Sequence, residues 1–235
     1  MTATQGRLRA DEVRAMFDRI APRYDLMNRL MTGGRDRAWR RAAAAAADLA
    51  AGDRALDCCC GTGDLAFDLH DRTAGGEVIG VDFSLPMLEL ARDKARARGA
   101  DVRFEVADAT DLPFPDAGFD AATVAFGVRN VGDLDRALGE MARVVRPGGR
   151  VVVLEITTPR RLVAFYRLWF EQIVPRLGAV VGRDLAAYSY LPASARRFPP
   201  PGELARRMAD AGLAEVRWRT YAGGMVALHH GRVRA

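Results

Sequence analysis

From Arg54 to Ile156 the sequence alternates short apolar runs with amphipathic stretches, and this alternation restricts the chain to few folds. Five runs have the composition of strands, and three stretches between them have helical spacing. Strands that alternate with helices imply right-handed crossovers and a mostly parallel sheet. The predicted strands are 54–59, 77–82, 102–107, 119–125 and 150–156, and the predicted helices are 64–72, 85–98 and 133–145.

The segments on either side of this core are predicted to be largely helical. Residues 11–31 have helical spacing that Pro22 interrupts, and 39–51 is an alanine-rich helix. The segment 160–182, rich in aromatic residues and arginine, is predicted to be an amphipathic helix broken at Pro175. Near the end, the prediction is a short helix over 203–211 and a hairpin of strands 214–221 and 225–230.

These elements predict an α/β fold with a Rossmann-like, doubly wound, mostly parallel sheet of seven strands and an N-terminal helical cap. We expect a single domain over 1–235. Along the chain it comprises a cap over 1–52, a cofactor-binding core over 53–158, and a helical insertion with the C-terminal hairpin over 159–235.

The charge balance is basic, with a net charge of +5, and Lys94 is the only lysine. Two explanations stay open: a general preference for arginine codons, or adaptation to anionic lipid or phosphate surfaces. No dense basic run has interleaved aromatic residues, so we do not expect a nucleic-acid partner. The three cysteines are adjacent at 58–60, and without a second cluster they predict neither a metal site nor a disulfide.

No secretory signal precedes the core, and no uninterrupted apolar stretch reaches about 18 residues. The sequence therefore predicts a cytoplasmic protein that does not span a membrane.

A glycine turn follows the first predicted strand, in the run DCCCGTGD over 57–64. Gly61 and Gly63 permit a tight turn and the close approach of a ligand over the end of the strand. Asp82 follows the second strand about twenty residues later, where a carboxylate can accept hydrogen bonds from both ribose hydroxyls. Asp108 and Ala109 follow the third strand and suit an adenine ring. This arrangement predicts a cofactor that contains adenosine.

Two features of the turn argue against a dinucleotide. The third glycine of G-x-G-x-x-G is missing, and Asp64 opens the helix where a pyrophosphate needs an unobstructed N-terminus. Asp57 would also repel a pyrophosphate, whereas it suits the ammonium and sulfonium of S-adenosylmethionine. Three alternatives stay open: a nicotinamide oxidoreductase, an adenosine-binding protein without activity, and acids that only cap helices and turns.

Further blocks of the sequence identify a family. They are FDRIAPRYDLMN at 17–28, GTGD at 61–64, LPFPD at 112–116, FGVRNV at 126–131, RVVRPGG at 143–149, YSYL at 188–191 and ALHHG at 227–231. In these blocks the chain resembles the menaquinone/ubiquinone biosynthesis C-methyltransferases nearly from end to end. The resemblance implies the fold of class I S-adenosylmethionine methyltransferases.

The resemblance implies methylation of a ring carbon in a polyprenylated quinol, and we favour the conversion of demethylmenaquinol to menaquinol. A benzoquinol of the ubiquinone pathway and another lipophilic small molecule are the alternatives. The implied cofactor contacts are Thr62, Asp82, Asp108, Ala109 and Ala125. Two positions depart from the family: relatives often have serine in place of Ala125 and commonly histidine in place of Asp36, so no proton transfer is carried over to position 36.

Arg129 and Asn130 lie just past the fourth strand, and we expect them to orient the quinol oxygen and stabilise developing phenolate charge. The alternative is a simple turn with a solvated arginine. Tyr24 and Asn28 are expected to close over the site, with Tyr190 on the opposite wall. For Phe17, substrate contact and packing within the cap are both open.

The substrate's prenyl tail comes from the bilayer, which gives the segment 160–182 two interpretations. It is either a membrane-surface element at the inner face or a helix buried against the sheet or a dimer partner. The predicted partners are therefore a lipophilic quinol, a peripheral membrane contact and a second copy in a homodimer.

Overall fold

Seven strands form one sheet in a computed structural model, which describes residues 9–159 and 166–234. The strands are β1 Ala55–Cys58, β2 Val78–Asp82, β3 Val102–Val106, β4 Phe119–Ala125, β5 Val145–Ile156, β6 Leu213–Tyr221 and β7 Val226–Val233. Their order is β3-β2-β1-β4-β5-β7-β6, and the first five are parallel to their neighbours. The β6–β7 hairpin joins β5 in antiparallel orientation. The predicted Rossmann-like sheet is confirmed.

Nine helices accompany the sheet in the described part of the chain. They are α1 Ala10–Ile20, α2 Tyr24–Thr32, α3 Asp36–Ala46, α4 Asp64–Thr73, α5 Leu85–Arg98, α6 Leu134–Val144, α7 over 166–182, α8 Leu185–Arg197 and α9 Pro201–Asp210. Each face of the sheet has its own apolar core. Leu138 of α6 and Met208 of α9 pack on one face, whereas Trp39 of α3, Leu69 of α4 and Leu88 of α5 pack on the other. The sheet is thus covered on both faces, as a doubly wound fold requires.

A third apolar cluster holds a layer of helices together beside the sheet. Met16 of α1 and Met27 of α2 share it with Val174 of α7 and Tyr188 of α8. Met87 at the start of α5 joins them, and α5 follows the carboxyl end of β2. The helical layer therefore lies against the carboxyl edge of the sheet, where ligands bind in folds of this type.

The helix over 166–182 does not break at Pro175, which corrects the sequence-based prediction. It has π-helical turns over Arg167–Ile173 and Gly178–Gly182, with α-helical Val174–Leu177 between them. Pro175 is the second residue of that α-helical part, where its missing N–H is not needed. The helix ends at Gly182, after which Arg183 has a left-handed backbone. Residues 160–165 of the predicted helix lie outside the described part.

Two boundaries also differ from the prediction. The helix α3 ends at Ala46, not at 51, because Asp48 turns left-handed and its carboxylate meets Arg150 and Arg232 on neighbouring strands. The strand β5 begins at Val145, not at 150, since Val145 already pairs with β4 before a bulge interrupts the ladder. Contacts far along the chain set both ends. None of the described helices is long and apolar enough to cross a membrane.

Candidate active site

The turn after β1 is built from residues with left-handed backbones. Cys59, Gly61 and Gly63 have φ values of 50°, 55° and 85°. The turn leads directly into α4, and the Gly61 N–H donates to Asp82 Oδ2 at 2.9 Å. This hydrogen bond joins the ends of β1 and β2, so the predicted turn and the predicted ribose-binding carboxylate lie side by side.

Asp82 is held in a fixed orientation by backbone donors. Its second oxygen accepts the Ser84 N–H at 2.9 Å, and the residue is 7% exposed. Burial raises the pKa of this carboxyl to about 6, although the backbone donors partly oppose the shift. A carboxylate fixed at the end of β2 is suited to accept hydrogen bonds from a sugar.

Asp57 is buried within β1 with one oxygen unsatisfied. Its Oδ1 accepts the Thr123 hydroxyl at 2.9 Å, whereas Oδ2 has no hydrogen-bond partner among the described residues. Burial raises the pKa of Asp57 to about 7. A buried carboxylate oxygen without a donor fits a cationic ligand group, such as an ammonium, and disfavours a pyrophosphate.

The remaining predicted cofactor residues end the neighbouring strands. Asp108 follows β3 and accepts both the N–H and the hydroxyl of Thr110 at 2.8 Å. Ala109 beside it is buried, and Ala125 is the last residue of β4. Because the sheet order is β3-β2-β1-β4, all of these strand ends meet at one edge. The structure therefore brings the eight predicted cofactor residues to a continuous stretch of that edge.

The cap covers the glycine turn. The Tyr24 ring lies 3.8 Å from where a Cβ on Gly61 would stand, and Phe17 makes an edge contact with Phe83, directly after Asp82. Thr62 Oγ1 donates to Asp25 of α2 at 2.7 Å. The cap is therefore closed over the end of β1.

A cavity of about 420 Å³ lies between the cap, α7, α8 and the ends of β4 and β5. Its wall is mostly apolar and aromatic, with Trp39, Phe126, Trp169 and Phe170 among its side chains. All six predicted catalytic and substrate residues line it: Phe17, Tyr24, Asn28, Arg129, Asn130 and Tyr190. The predicted cofactor residues are outside its wall, and Tyr24, which lines the cavity, is also the ring next to Gly61.

Arg129 is not a solvated turn residue. Its side chain is 8% exposed, and Nη1 lies 2.8 Å from Oε1 of Glu155, which is itself buried in β5. The backbone N–H groups of Arg129 and Ile156 also donate to Glu155, at 3.2 and 2.7 Å. Arg129 Nη1 further donates to the Phe126 carbonyl, and Nε has no partner among the described groups. Glu155 thus fixes the guanidinium in the cavity wall.

Asn130 follows on the same short 3₁₀ turn and also faces the cavity. Both its amide nitrogen and its amide oxygen are buried without a partner in the described part of the chain. A buried amide is normally hydrogen-bonded, so a donor and an acceptor here are available to a ligand.

Two groups at the cavity were not predicted from the sequence: Glu155, which holds Arg129 but does not itself line the cavity, and a charged pair in the wall. Glu155 had one signal, since it is the single acid in the otherwise apolar run of β5. The second group is the pair of Asp36 and Arg40, which are 3 and 6% exposed and whose side chains form an ion pair. Asp36 also accepts the Thr32 hydroxyl at 2.8 Å, and Arg40 lies over the Phe126 ring. Their spacing of four residues on a helix was the available signal.

Comparison with known proteins identifies the family. The model of the ubiE/COQ5 methyltransferase family matches residues 5–233. The demethylmenaquinone methyltransferase of Thermus thermophilus is 50% identical over 218 residues, which cover 92% of this chain and 99% of that protein. The enzyme of the same name from Deinococcus radiodurans is 47% identical, over 94% of this chain and 92% of its own length.

Solved structures agree on the fold. The [4+2]-cyclase SpnF has a TM-score of 0.73 at 20% identity, with both chains covered completely. A possible histamine N-methyltransferase from Thermotoga maritima has a TM-score of 0.64 at 22% identity, over 93% of this chain and 98% of its own. At such identities the likeness shows the fold alone, whereas the sequence relatives decide between the methyltransferase and the oxidoreductase. The chain belongs to the ubiE/COQ5 methyltransferase family and is an S-adenosylmethionine-dependent C-methyltransferase.

Proposed function

We propose that this protein methylates a ring carbon of a polyprenylated quinol, and that its substrate is demethylmenaquinol. The observation that carries the proposal is the apolar cavity beside the glycine turn, with Arg129 and Asn130 in its wall. Its aromatic lining suits a naphthoquinol ring, and its two polar residues suit the ring oxygen. Two relatives that are named demethylmenaquinone methyltransferase, 50% and 47% identical to this chain, support the same substrate.

We propose that the cofactor lies across the ends of β1, β2 and β3. Asp82 accepts hydrogen bonds from the ribose hydroxyls, and Asp57 provides the counter-charge for the ammonium. Gly61 and Gly63 let the backbone approach the ligand, with Thr62 between them. Asp108 and Ala109, after β3, complete the adenine end, whereas Ala125, which ends β4 on the other side of β1, offers its backbone to the opposite end of the cofactor. When it is bound, the cofactor supplies a methyl group on a positively charged sulfur.

The protein's part in this reaction is alignment and electrostatic support. An in-line methyl transfer requires the ring carbon to approach the methyl group from a dry pocket, which the closed cap provides. Tyr24 lies at the boundary between the two proposed sites, and Asn28 lines the same wall. Arg129 and Asn130 orient the quinol oxygen and stabilise its negative charge as the hydroxyl proton is shared or lost. No covalent nucleophile is required.

A turnover assay tests the proposed substrate. Purified protein is incubated with S-adenosylmethionine and either a demethylated naphthoquinol or the corresponding benzoquinol, both reduced, and released S-adenosylhomocysteine is measured. We expect turnover with the naphthoquinol and much slower turnover with the benzoquinol. Preference for the benzoquinol assigns the ubiquinone pathway, and methylation of neither ring rejects the quinol substrate.

We also propose that the cap, together with α7, rests on the inner face of a membrane. Four apolar side chains are exposed here: Leu26 and Leu30 on α2, and Leu168 and Val180 on α7. Three arginines are also exposed: Arg29 on α2, Arg35 just after it and Arg176 on α7. Apolar groups among cations suit an anionic lipid surface, and Leu30 and Arg35 also line the cavity. A homodimer through this surface is the competing interpretation, and sedimentation of the protein without lipid distinguishes the two.

A further inference from the structure

The closed cap is fastened to the glycine turn by one polar cluster. Asp25 Oδ1 accepts the Thr62 hydroxyl at 2.7 Å, and Asp25 Oδ2 lies 2.5 Å from Lys94 Nζ. Lys94 also donates to Thr62 Oγ1 and to Asp64 Oδ1, each at 2.9 Å. A hydroxyl and an ammonium therefore hold a carboxylate of the cap, and the ammonium belongs to the only lysine of the chain.

The place that this carboxylate occupies is suited to a ligand anion. Thr62 is 3% exposed and lies between the two glycines of the turn, one residue before Gly63 caps α4. Lys94 and Asp25 are 25 and 26% exposed at their side chains, so both are within reach of solvent. A hydroxyl and an ammonium are a strong combination for a carboxylate. The carboxylate that occupies this place is that of Asp25, which belongs to α2 of the cap.

We propose that Thr62 and Lys94 bind the α-carboxylate of S-adenosylmethionine, and that Asp25 fills its place until the cofactor arrives. The inference rests on the proposed cofactor site, in which Asp57 meets the ammonium of the same amino-acid group. Cofactor binding then exchanges one carboxylate for another on Thr62 and Lys94. Because Asp25 is part of α2, the exchange links cofactor entry to a movement of the cap.

The test compares S-adenosylmethionine with its decarboxylated form, which keeps the nucleoside, the sulfonium and the ammonium but has no carboxylate. Both are titrated calorimetrically into the full chain without quinol. In Lys94→Met, the affinity for S-adenosylmethionine is expected to fall about tenfold or more, while that for the decarboxylated ligand changes less than about twofold. In Asp25→Asn, the competitor is weakened, so S-adenosylmethionine binds about threefold to tenfold more tightly. Lys94→Arg is expected to restore most of the affinity.

Two matched controls change the same kind of charge elsewhere. Arg96→Met removes an exposed cation from the same helix as Lys94, and Asp11→Asn removes an exposed cap carboxylate that pairs with Arg9. Neither is expected to alter the ratio of the two affinities. Binding of the decarboxylated ligand also shows that each variant is folded at the nucleoside end.

A single lysine permits a direct signal. Lysine labelled with ¹³C at Cε gives one resonance, which is expected to move with S-adenosylmethionine and to stay nearly still with the decarboxylated ligand. Three results overturn the inference while leaving the cofactor site intact. They are an equal loss of affinity for both ligands in Lys94→Met, weaker binding of S-adenosylmethionine in Asp25→Asn, or a Lys94 resonance that does not move. If the wild-type protein binds neither ligand, the proposed cofactor site is wrong and the inference falls with it.

Discussion

Arg129, which lines the proposed substrate cavity, forms a buried ion pair with Glu155, with 2.8 Å between Nη1 and Oε1. Arg129→Ala removes the guanidinium and leaves Glu155 buried without its partner. We expect a loss of about 3–5 kcal/mol in the free energy of unfolding and a fall in kcat of about 10²- to 10³-fold. Urea denaturation and steady-state turnover measure the two effects.

The double variant Arg129→Ala with Glu155→Gln is the control for this pair. It removes the unpaired buried charge, so stability is expected to recover while turnover stays low. Recovery of turnover together with stability would make Arg129 a purely structural residue.

Asn130 is expected to separate activity from stability. In the ligand-free protein its amide makes no hydrogen bond with the described residues, so Asn130→Ala breaks none of those contacts. The melting temperature should change little, whereas kcat should fall about tenfold to a hundredfold if the amide serves the quinol oxygen. A normal kcat with a lower melting temperature contradicts that assignment.

Cofactor affinity is expected to rise with pH. Burial raises the pKa of Asp57 to about 7 and that of Asp82 to about 6. At a pH near the lower of these two pKa values, both carboxyls are therefore partly protonated in the free protein. The ammonium and the ribose hydroxyls favour the ionised forms, and binding therefore releases protons. Calorimetry from about pH 5.5 to about pH 8, in two buffers of different ionisation enthalpy, should show tighter binding at the higher pH and proton release at the lower.

Asp57 and Asp82 are also expected to make the folded protein less stable as the pH rises. Their folded-state pKa values lie above the usual range, so the folded protein binds more protons than the unfolded chain, and stability falls as the pH rises through the raised values. Asp57→Asn is expected to flatten both profiles. Affinity that is independent of pH in the wild-type protein rejects Asp57 and Asp82 as cofactor ligands.

Gly127 and Cys59 pack against each other where β4 and β1 end. A Cβ on Gly127 would overlap the Cβ of Cys59, whose own backbone is left-handed with φ of 50°. Gly127→Ala should destabilise the protein by about 1–3 kcal/mol. Cys59→Gly removes the opposing Cβ and relaxes its backbone, so the double variant should regain most of this loss. Failure to regain it in urea denaturation places the strain elsewhere.

Vesicle sedimentation tests the membrane surface. We expect the wild-type protein to co-sediment with anionic vesicles, and Val180→Asp, at a side chain that is 78% exposed, to weaken this without lowering stability. Trp218→Gln is the matched control, since Trp218 is exposed on the edge strand β6 outside the cap. The proposed lipid contact is contradicted if both variants lose vesicle binding. It is also contradicted if the wild-type protein sediments as a dimer without lipid and does not co-sediment with the vesicles.

The elements of the core and the position of the glycine turn were predictable because they depend on local periodicity. An apolar run such as β4 and the turn after β1 are encoded by adjacent residues, and parallel strands necessarily bring their carboxyl ends to one edge. The residues of the proposed substrate cavity were predictable only through the resemblance to a family, since Phe17 and Tyr190 carry no chemical signal of their own. The break at Pro175 was wrong because the proline is the second residue of an α-helical part that directly follows a π-helical turn.

The sequence by itself determined the order of strands and helices along the chain, the glycine turn after β1 and the carboxylates at the strand ends. Tertiary structure alone decided that Glu155 holds Arg129, that Asp36 and Arg40 enter the cavity wall as a pair, and that Asp25 meets Lys94 across the turn. The reason is physical: the energy of a buried charge depends on its partner in space. For Arg129 and Glu155 that partner is set by the pairing of β4 with β5, and for Asp25 and Lys94 by the packing of the cap, neither of which local periodicity encodes.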